Sequence, residues 1–259
     1  MSRFMRLAKM TGLGTLGLVA YCSDRFNMPE IRAESRPRTF PTEKRKWDSN
    51  WDFREGLENG QDTKLAKRFI ILIRHGQYHT DGKTESEMKL TELGREQARM
   101  TGQRLKELGI RYTKLIHSPM TRARETAEII HEFIPDVPTE ECPLLEEGSP
   151  IEPEPPSKTW RPPHYQYHQD GARIEAAFRK YFHRASPHQE KDTYEIIVCH
   201  ANVIRYFVCR ALQIPPEAWL RFSLRHASMT SIIIYDGGKV SLRSFGDAGY
   251  MPPHTITTS

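Results

Sequence analysis

Arginine and histidine side chains follow apolar runs at separate places in this sequence. Arg74 and His75 close one run, Arg122 comes shortly after a second, and His200 closes a third. Guanidinium groups stay charged at any working pH, and their forked N–H groups match the oxygens of a phosphoryl group. A neutral imidazole can attack phosphorus, and a second imidazole can donate hydrogen bonds to the phosphoryl oxygens. These residue types predict a site for phosphoryl transfer, with a phosphohistidine as the intermediate of the reaction.

Such a reaction also needs a carboxyl group that protonates the leaving oxygen and then deprotonates the attacking water. Glu146 and Glu147 follow Leu144-Leu145 and are the candidates. Each residue also has an ordinary explanation: Arg122 can pair with acidic neighbours on a helix, His200 can be a satisfied histidine at a strand end, and the glutamates can be loop acids. Their joint occurrence after predicted strands favours a shared site.

The elements that must position these residues follow from hydrophobic periodicity and turn signals. The run RFIILIR is continuous and apolar, as in a strand buried on both faces of a parallel sheet. The predicted strands are 68–74, 114–118, 194–200, 229–236 and 239–245, and the predicted helices are 91–108, 118–130, 172–184 and 203–212. This order predicts an α/β fold, a three-layer α/β/α sandwich with a mostly parallel sheet and an antiparallel edge strand. The carboxyl ends of its parallel strands would bring the candidate residues to one rim.

The chain divides into three parts. Residues 1–23 carry basic residues and then an uncharged stretch, 10–23, which is shorter than the roughly 20 residues of a membrane span. A cleaved secretory signal, a membrane anchor or mitochondrial targeting segment, and a segment without an address all remain open. Residues 24–67 are polar and rich in proline and charge, as in a linker, and 68–259 form the predicted folded domain.

Two tryptophans lie within the linker, in the segment Trp47-Asp48-Ser49-Asn50-Trp51-Asp52. Exposed tryptophan is costly in water, so we expect this segment either to dock on its own domain or to bind another chain.

Composition excludes several classes of protein. The chain is 37% hydrophobic and 27% charged with a net charge of +5, which suits a globular protein and mildly favours acidic substrates. Lysine and arginine are scattered, so nucleic-acid binding is not expected. The four cysteines match no zinc or redox spacing, and no metal-ligand pattern is present, so we expect no metal and no cofactor.

Several longer stretches carry a resemblance to a known family. The chain contains FIILIRHGQ, LTELGREQA, SPMTRARETA and VCHANVIR, and in these it resembles the histidine phosphatase (phosphoglycerate mutase-like) superfamily from about residue 68 onward. It is still more similar to a branch of mitochondrial serine/threonine-protein phosphatases, through WDSNWD, IEPEPP, DGARIEAAFRKYFHRA, CHANVIRYFVCRALQ and FGDAGYMPP.

The resemblance implies roles for individual residues. His75 would be the nucleophile, Glu147 the acid/base and His200 the third catalytic residue. The implied phosphate-binding residues are Arg74, His75, Arg122 and His200. Glu147 matches the family glutamate that follows an arginine, but Glu146 stands in place of that arginine. The choice between the two glutamates therefore stays open.

The branch further implies phosphoprotein substrates bearing phosphoserine or phosphothreonine, with phosphohistidine as a further substrate. It also implies membrane anchoring in mitochondria through the N-terminus, and self-association through the WDxNWD motif. The motif residues here are Trp47, Asp48, Asn50, Trp51 and Asp52. Relatives carry a short acidic adaptor-binding motif after this segment, of which 58–61 is a poor copy, so that partnership is not carried over.

Two other functions compete with a protein phosphatase. One is a small-molecule phosphatase or mutase of the same superfamily, although the loop 147–163 is proline-rich and acidic at Glu152 and Glu154, which disfavours a triply charged sugar acid. The other is a membrane-tethered scaffold that assembles through residues 47–52.

Overall fold

The computed structural model describes residues 46–54 and 66–258, and the described residues form a six-stranded sheet in the order β3-β2-β4-β1-β5-β6. The strands are β1 Arg68–Arg74, β2 Lys114–His117, β3 Thr139–Glu141, β4 Thr193–Cys199, β5 Met229–Ile234 and β6 Val240–Asp247. Strands β1 to β4 pair in parallel, whereas β5 is antiparallel to both β1 and β6. The predicted mostly parallel sheet, with antiparallel pairing at one edge, is therefore confirmed.

Helices cover both faces of this sheet. They are α1 Glu92–Glu107, α2 Thr121–His131, α3 His164–Tyr181 and α4 Ala201–Ala211. Successive side chains of a strand point to opposite faces, and β1 shows the result: Ile70 and Leu72 share one core with α3 and α4, whereas Ile71 and Ile73 share the other with α1 and α2. This arrangement confirms the three-layer sandwich and explains why the run is apolar at consecutive positions.

Helix α1 begins and ends where the turn chemistry predicts. The side chain of Thr91 accepts a hydrogen bond from the Gly94 backbone N–H at 3.0 Å, which caps the first turn. Gly109 has a φ of 62°, a left-handed conformation that glycine adopts without steric cost and that ends the helix. Gly94 also lies against the Gln77 backbone so closely that a Cβ atom would clash with it, which brings α1 up to the loop after His75.

The prediction for α3 was wrong at both ends, because this helix begins at His164 rather than 172 and ends at Tyr181 rather than 184. Gly171 favours a helix start after it, since glycine weakens a helix interior. In the structure Gly171 lies inside the helix because its missing side chain leaves room for the Pro150 carbonyl, which a Cβ atom would meet at 2.4 Å. Close packing between the helix and this loop outweighs the local cost.

Strand β3 was not predicted, because it too depends on contact with another element of the fold. Its residues, Thr139-Glu140-Glu141, show no apolar alternation, and pairing with the neighbouring β2 is what makes them a strand. Cys199 and Cys209 are buried and free, and they act as small residues of the core.

The segment 47–54 packs against the sheet domain. Trp51 is 6% exposed, and its indole N–H donates to the Gly238 carbonyl at 2.7 Å. Its ring lies 5.9 Å from the ring of Phe178, and the Arg179 guanidinium donates to the Trp51 carbonyl at 2.7 Å. Trp51 is therefore part of the hydrophobic core of the domain, whereas Trp47 stays 40% exposed.

Asp52 anchors the same segment through an ion pair with Arg184. The two side chains are 0% and 4% exposed, and the carboxylate accepts hydrogen bonds from both the guanidinium and the backbone N–H of Arg184. Burial alone would raise the pKa of Asp52, but these hydrogen bonds and the arginine charge hold it below its ordinary value. The backbone N–H and carbonyl of Asp48 form two further hydrogen bonds with the side-chain amide of Gln213. The Asp48 carboxylate accepts from the Asn50 N–H at 2.9 Å.

The predicted targeting segment 1–23 and most of the predicted linker, 24–45 and 55–65, lie outside the described residues. Among the described residues, no helix is both long and apolar enough to cross a membrane.

Candidate active site

The carboxyl ends of β1, β2 and β4 meet at one rim, and the predicted residues lie there. His75 follows β1 directly and donates its backbone N–H to the Cys199 carbonyl at the end of β4. Arg122 is in the first turn of α2, and His200 precedes α4. Arg74, His75, Arg122 and His200 are all 4% exposed or less. The structure therefore brings together four of the residues that were predicted to share a site.

The His75 ring is held in one orientation and one tautomer. Its Nδ1 lies 2.8 Å from the Gly76 carbonyl oxygen, which can only accept, so Nδ1 carries the ring proton and Nε2 keeps its lone pair. Burial, together with the neighbouring His200 and the charges of Arg74 and Arg122, lowers the pKa of His75 well below its ordinary value. The imidazole is thus neutral and has an available nucleophilic nitrogen.

Two buried guanidinium groups surround this imidazole. Arg74 donates to the Leu224 carbonyl at 2.8 Å, and burial lowers its pKa to about 10, so it remains charged at neutral pH. The Nε atoms of Arg74 and Arg122 are buried and have no hydrogen-bond partner within residues 46–54 and 66–258. Buried donors of this kind are costly to leave unpaired, so they mark a place where an anion fits.

His200 lies next to His75, with ring centroids 5.2 Å apart. Its Nε2 is 2.8 Å from the Ser118 hydroxyl, whereas its buried Nδ1 has no partner within the described ranges. Burial and then the Arg122 charge lower its pKa well below the ordinary value, so this ring is neutral as well.

Glu147 is the glutamate whose carboxylate is turned into the site. Its Oε1 accepts from the Gly148 N–H at 3.2 Å, and its Oε2 lies 3.5 Å from the Asn202 N–H at the start of α4. Burial raises the pKa of Glu147, although these hydrogen bonds and the charges of Arg122 and Arg74 oppose the shift. A carboxyl group with a raised pKa can hold a proton for a leaving group.

Arg173 holds the loop that carries this glutamate, and the sequence reasoning missed it. Its guanidinium donates to the carbonyls of Leu144, Glu146 and Glu147 at 3.2, 2.6 and 3.0 Å, and Asp170 accepts from the same group at 3.3 Å. Arg173 lies in the stretch DGARIEAAFRKYFHRA, whose detailed resemblance to relatives was the available signal.

Two more side chains, Tyr78 and Glu85, lie against Arg122. The Tyr78 ring lies 4.7 Å from the guanidinium carbon of Arg122 and meets the His75 ring edge-on at 5.1 Å. The Glu85 carboxylate accepts from Arg122 at 3.4 Å and from the Thr121 N–H at 2.8 Å. Glu85 is therefore an acidic group on the outer side of a predicted phosphate-binding arginine.

Among residues 46–54 and 66–258, no cluster of three or more histidine, cysteine or carboxylate side chains is placed to hold a metal ion. What the site contains is a neutral imidazole with an available ring nitrogen, buried cations and a carboxyl group with a raised pKa. Those groups together can accept a phosphoryl group and pass it to water.

Comparison with known families gives the class of this protein. Residues 70–248 match the family model described as histidine phosphatase superfamily (branch 1). The chain belongs to the histidine phosphatase superfamily.

Individual relatives cover most of the chain. "Serine/threonine-protein phosphatase PGAM5, mitochondrial" from Mus musculus is 53% identical over 232 residues, which cover 82% of this chain and 81% of the mouse protein. "Serine/threonine-protein phosphatase Pgam5, mitochondrial" from Drosophila grimshawi is 46% identical and covers 98% of this chain and 96% of its own. Among solved structures, phosphoglycerate mutase from Plasmodium falciparum is 34% identical with a TM-score of 0.53, covering 75% of this chain and 99% of its own.

Proposed function

We propose that this protein is a metal-independent serine/threonine-protein phosphatase that works through a phosphohistidine at His75. The observation that carries the proposal is the His75 ring itself, which is neutral, fixed through Nδ1 and surrounded by the buried Arg74 and Arg122. Relatives that share about half of their residues with this chain are named serine/threonine-protein phosphatases.

In the first step the Nε2 lone pair of His75 forms a bond to phosphorus, and the bond from phosphorus to the serine or threonine oxygen breaks. Glu147 gives its proton to that departing oxygen. Arg74, Arg122 and His200 bind the phosphoryl oxygens, over which negative charge is spread as the group is transferred.

In the second step a water molecule gives a proton to the Glu147 carboxylate and attacks phosphorus. The bond between phosphorus and Nε2 breaks, which returns His75 to its neutral form and releases inorganic phosphate. Each turnover therefore restores the proton on Glu147 and consumes one water molecule.

A second candidate is a small-molecule phosphatase or mutase, which the similarity to the Plasmodium phosphoglycerate mutase favours. Glu85 disfavours this second candidate, because its carboxylate lies against Arg122 and the N-terminus of α2. The second anionic group of a sugar acid would be repelled there. A phosphorylated peptide carries a single phosphate and does not face that repulsion.

The direct test is phosphate release in EDTA from a phosphothreonine peptide, with 3-phosphoglycerate as the competing substrate. We expect the full chain to hydrolyse the peptide at least tenfold more efficiently, judged by kcat/KM. Preference for 3-phosphoglycerate, its isomerisation without phosphate release, or loss of activity in EDTA would contradict the proposal.

We further propose that residues 47–52 serve self-association, with the docking site of one copy receiving the segment of another. Support comes from the chemistry of the contact: Trp51 is buried, and Asp52 pairs with Arg184 inside a site that any copy of the chain possesses. A scaffold role and phosphatase activity are compatible in such an assembly.

Asp52→Asn is expected to dissociate the oligomer, because it leaves the buried Arg184 charge without its carboxylate at a cost of about 3 kcal/mol. Analytical ultracentrifugation of the parent and the variant measures this directly. Asp247→Asn is the matched control, since Asp247 is exposed, lies outside the 47–52 segment, and its carboxylate accepts a local hydrogen bond from the Gly249 N–H. A monomeric parent would show that the segment docks on its own domain and would overturn self-association.

The names of the relatives also support a mitochondrial location, and we propose that residues 1–23 attach the protein to a mitochondrial membrane. Carbonate extraction of mitochondria from cells that express the full chain tests this proposal. The protein should stay in the membrane pellet, and a chain lacking 1–23 should not reach mitochondria. Release of the full chain into the soluble fraction would contradict the anchor.

A further inference from the structure

His226 is buried beside the nucleophile, in the loop before β5, and the reaction described above does not use it. His226 is 3% exposed, and the centroid of its imidazole ring lies 5.8 Å from that of the His75 ring. The loop is bonded to the nucleophile through the backbone: Ala227 N–H donates to the His75 carbonyl at 3.1 Å, and Arg74 N–H to the Ser228 carbonyl at 3.3 Å. The position of His226 relative to the nucleophile is therefore fixed by main-chain contacts.

The hydrogen bonds around His226 favour one tautomer. Nδ1 lies 2.8 Å from the Thr257 hydroxyl oxygen, which also accepts a hydrogen bond from the Gln97 amide at 2.8 Å. Because the hydroxyl already accepts from Gln97, its own proton is available for Nδ1. A neutral ring that accepts at Nδ1 carries its single proton on Nε2.

The network that sets this tautomer is itself buried and tied to the site. Gln97 is 0% exposed, and its side-chain oxygen accepts from the Gln77 N–H, two residues after His75, at 2.9 Å. Its amide nitrogen also donates to the Thr255 carbonyl at 2.7 Å. The same glutamine thus connects the loop after the nucleophile with the 255–257 segment that orients His226.

The other ring nitrogen, Nε2, is buried and has no hydrogen-bond partner within residues 46–54 and 66–258. It shares this state with Nε of Arg74, Nε of Arg122 and Nδ1 of His200, which surround His75. Burial and the nearby Arg74 charge lower the pKa of His226 to about 3, so the ring is uncharged at neutral pH. An unpaired buried donor next to an anion site is satisfied when the anion binds.

We propose that His226 is a further active-site residue, which donates a hydrogen bond from Nε2 to an oxygen of the transferring phosphoryl group. The proposal rests on the phosphatase function argued above. A neutral donor binds an oxyanion less strongly than a cation does. The His226 ring therefore assists the transfer without adding positive charge that would slow the release of product phosphate. Gln97 and Thr257 are then positioning residues, because they act through the His226 ring.

The test compares His226→Leu with His226→Gln, whose side-chain amide nitrogen can take the place of Nε2 and still donate. We expect His226→Leu to lower kcat/KM for a phosphothreonine peptide at least tenfold and to weaken binding of orthovanadate, measured by calorimetry, by a similar factor. His226→Gln should recover most of both. His188→Leu, at an exposed histidine, is the control and should match the parent.

The possible outcomes separate the two proposals. Parent-like activity and vanadate affinity in His226→Leu would overturn the assignment of His226 alone. Equal losses in the leucine and glutamine variants, accompanied by a lower Tm in both, would show a structural role and overturn it as well. A parent that neither hydrolyses the peptide nor binds orthovanadate would overturn the phosphatase proposal, and with it the role of His226.

Discussion

Replacing His75 with asparagine is expected to lower turnover of phosphothreonine peptides by about 10³-fold or more, since the nucleophile of the proposed reaction is lost. Asparagine suits this test because its amide can keep the hydrogen bond that Nδ1 gives to the Gly76 carbonyl. The loop after β1 should therefore keep its conformation while losing the reactive nitrogen. Single-turnover phosphate release in EDTA measures the effect.

The matched control is His183→Asn. The His183 ring also places Nδ1 2.8 Å from the carbonyl of the following residue, Arg184, and burial likewise lowers its pKa. It resembles His75 in local geometry and in charge state but lies after α3, away from the β1 rim. Equal activity in the parent and in His75→Asn would show that His75 is not the nucleophile.

Glu147→Gln is expected to lower kcat for phosphothreonine peptides by about 10²- to 10⁴-fold, because an amide cannot exchange a proton with the leaving oxygen or with water. With p-nitrophenyl phosphate, whose leaving group needs no proton, the first step should survive while hydrolysis of the phosphoenzyme stays slow. Phosphohistidine should then accumulate on this variant, and acid-labile, base-stable labelling of His75 detects it.

Glu146→Gln is the control that decides between the two adjacent glutamates. The Glu146 carbonyl is bound by Arg173, but its carboxylate makes no hydrogen bond with residues 46–54 or 66–258, whereas the Glu147 carboxylate accepts from backbone N–H groups in the site. Glu146→Gln should thus keep at least half of the parent activity. The reverse pattern, with Glu146→Gln inactive and Glu147→Gln active, would exchange their roles.

In the proposed reaction, the pH dependence of kcat/KM follows from His75 and Glu147. His75 attacks only when neutral, so activity falls as pH drops through its pKa, which burial and the arginines hold well below the ordinary value. Glu147 must be protonated when the ester bond breaks, so activity falls as pH rises through its pKa, which burial raises. A pH profile of Glu147→Gln should keep the acidic limb and lose the alkaline limb, and an unchanged alkaline limb would exclude Glu147 as the acid.

Most of the rim could be predicted from the residues alone. The run 68–74 is apolar at consecutive positions, which requires burial on both faces and places His75 at a strand end beside Arg74. The same reasoning locates His200 after β4. Helix α1 was predictable at both ends, because Thr91 and Gly109 act within one turn of the chain.

Other features depend on contacts between distant residues. Gly171 favours a break in α3, and only the close approach of the Pro150 backbone shows why a glycine is kept inside the helix. Strand β3 exists because β2 pairs with it, and the sequence of 139–141 has no signal of its own. The proposal of Glu147 over Glu146 rests on such contacts, because Arg173 binds the carbonyls of both residues and the Asn202 N–H at the start of α4 lies against the Glu147 carboxylate.

The sequence by itself determined the family, the order of the helices and of every strand except β3, and the residue types at the strand ends, since periodicity, turn residues and strand ends are properties of neighbouring positions. Only the tertiary structure decided the environment of those residues. Folding buries His75 between two arginines, brings His226 against it from a loop about 150 residues away, and closes Trp51 and Asp52 onto the domain. Burial and electrostatic shifts of pKa arise from residues distant in sequence, which no local pattern encodes.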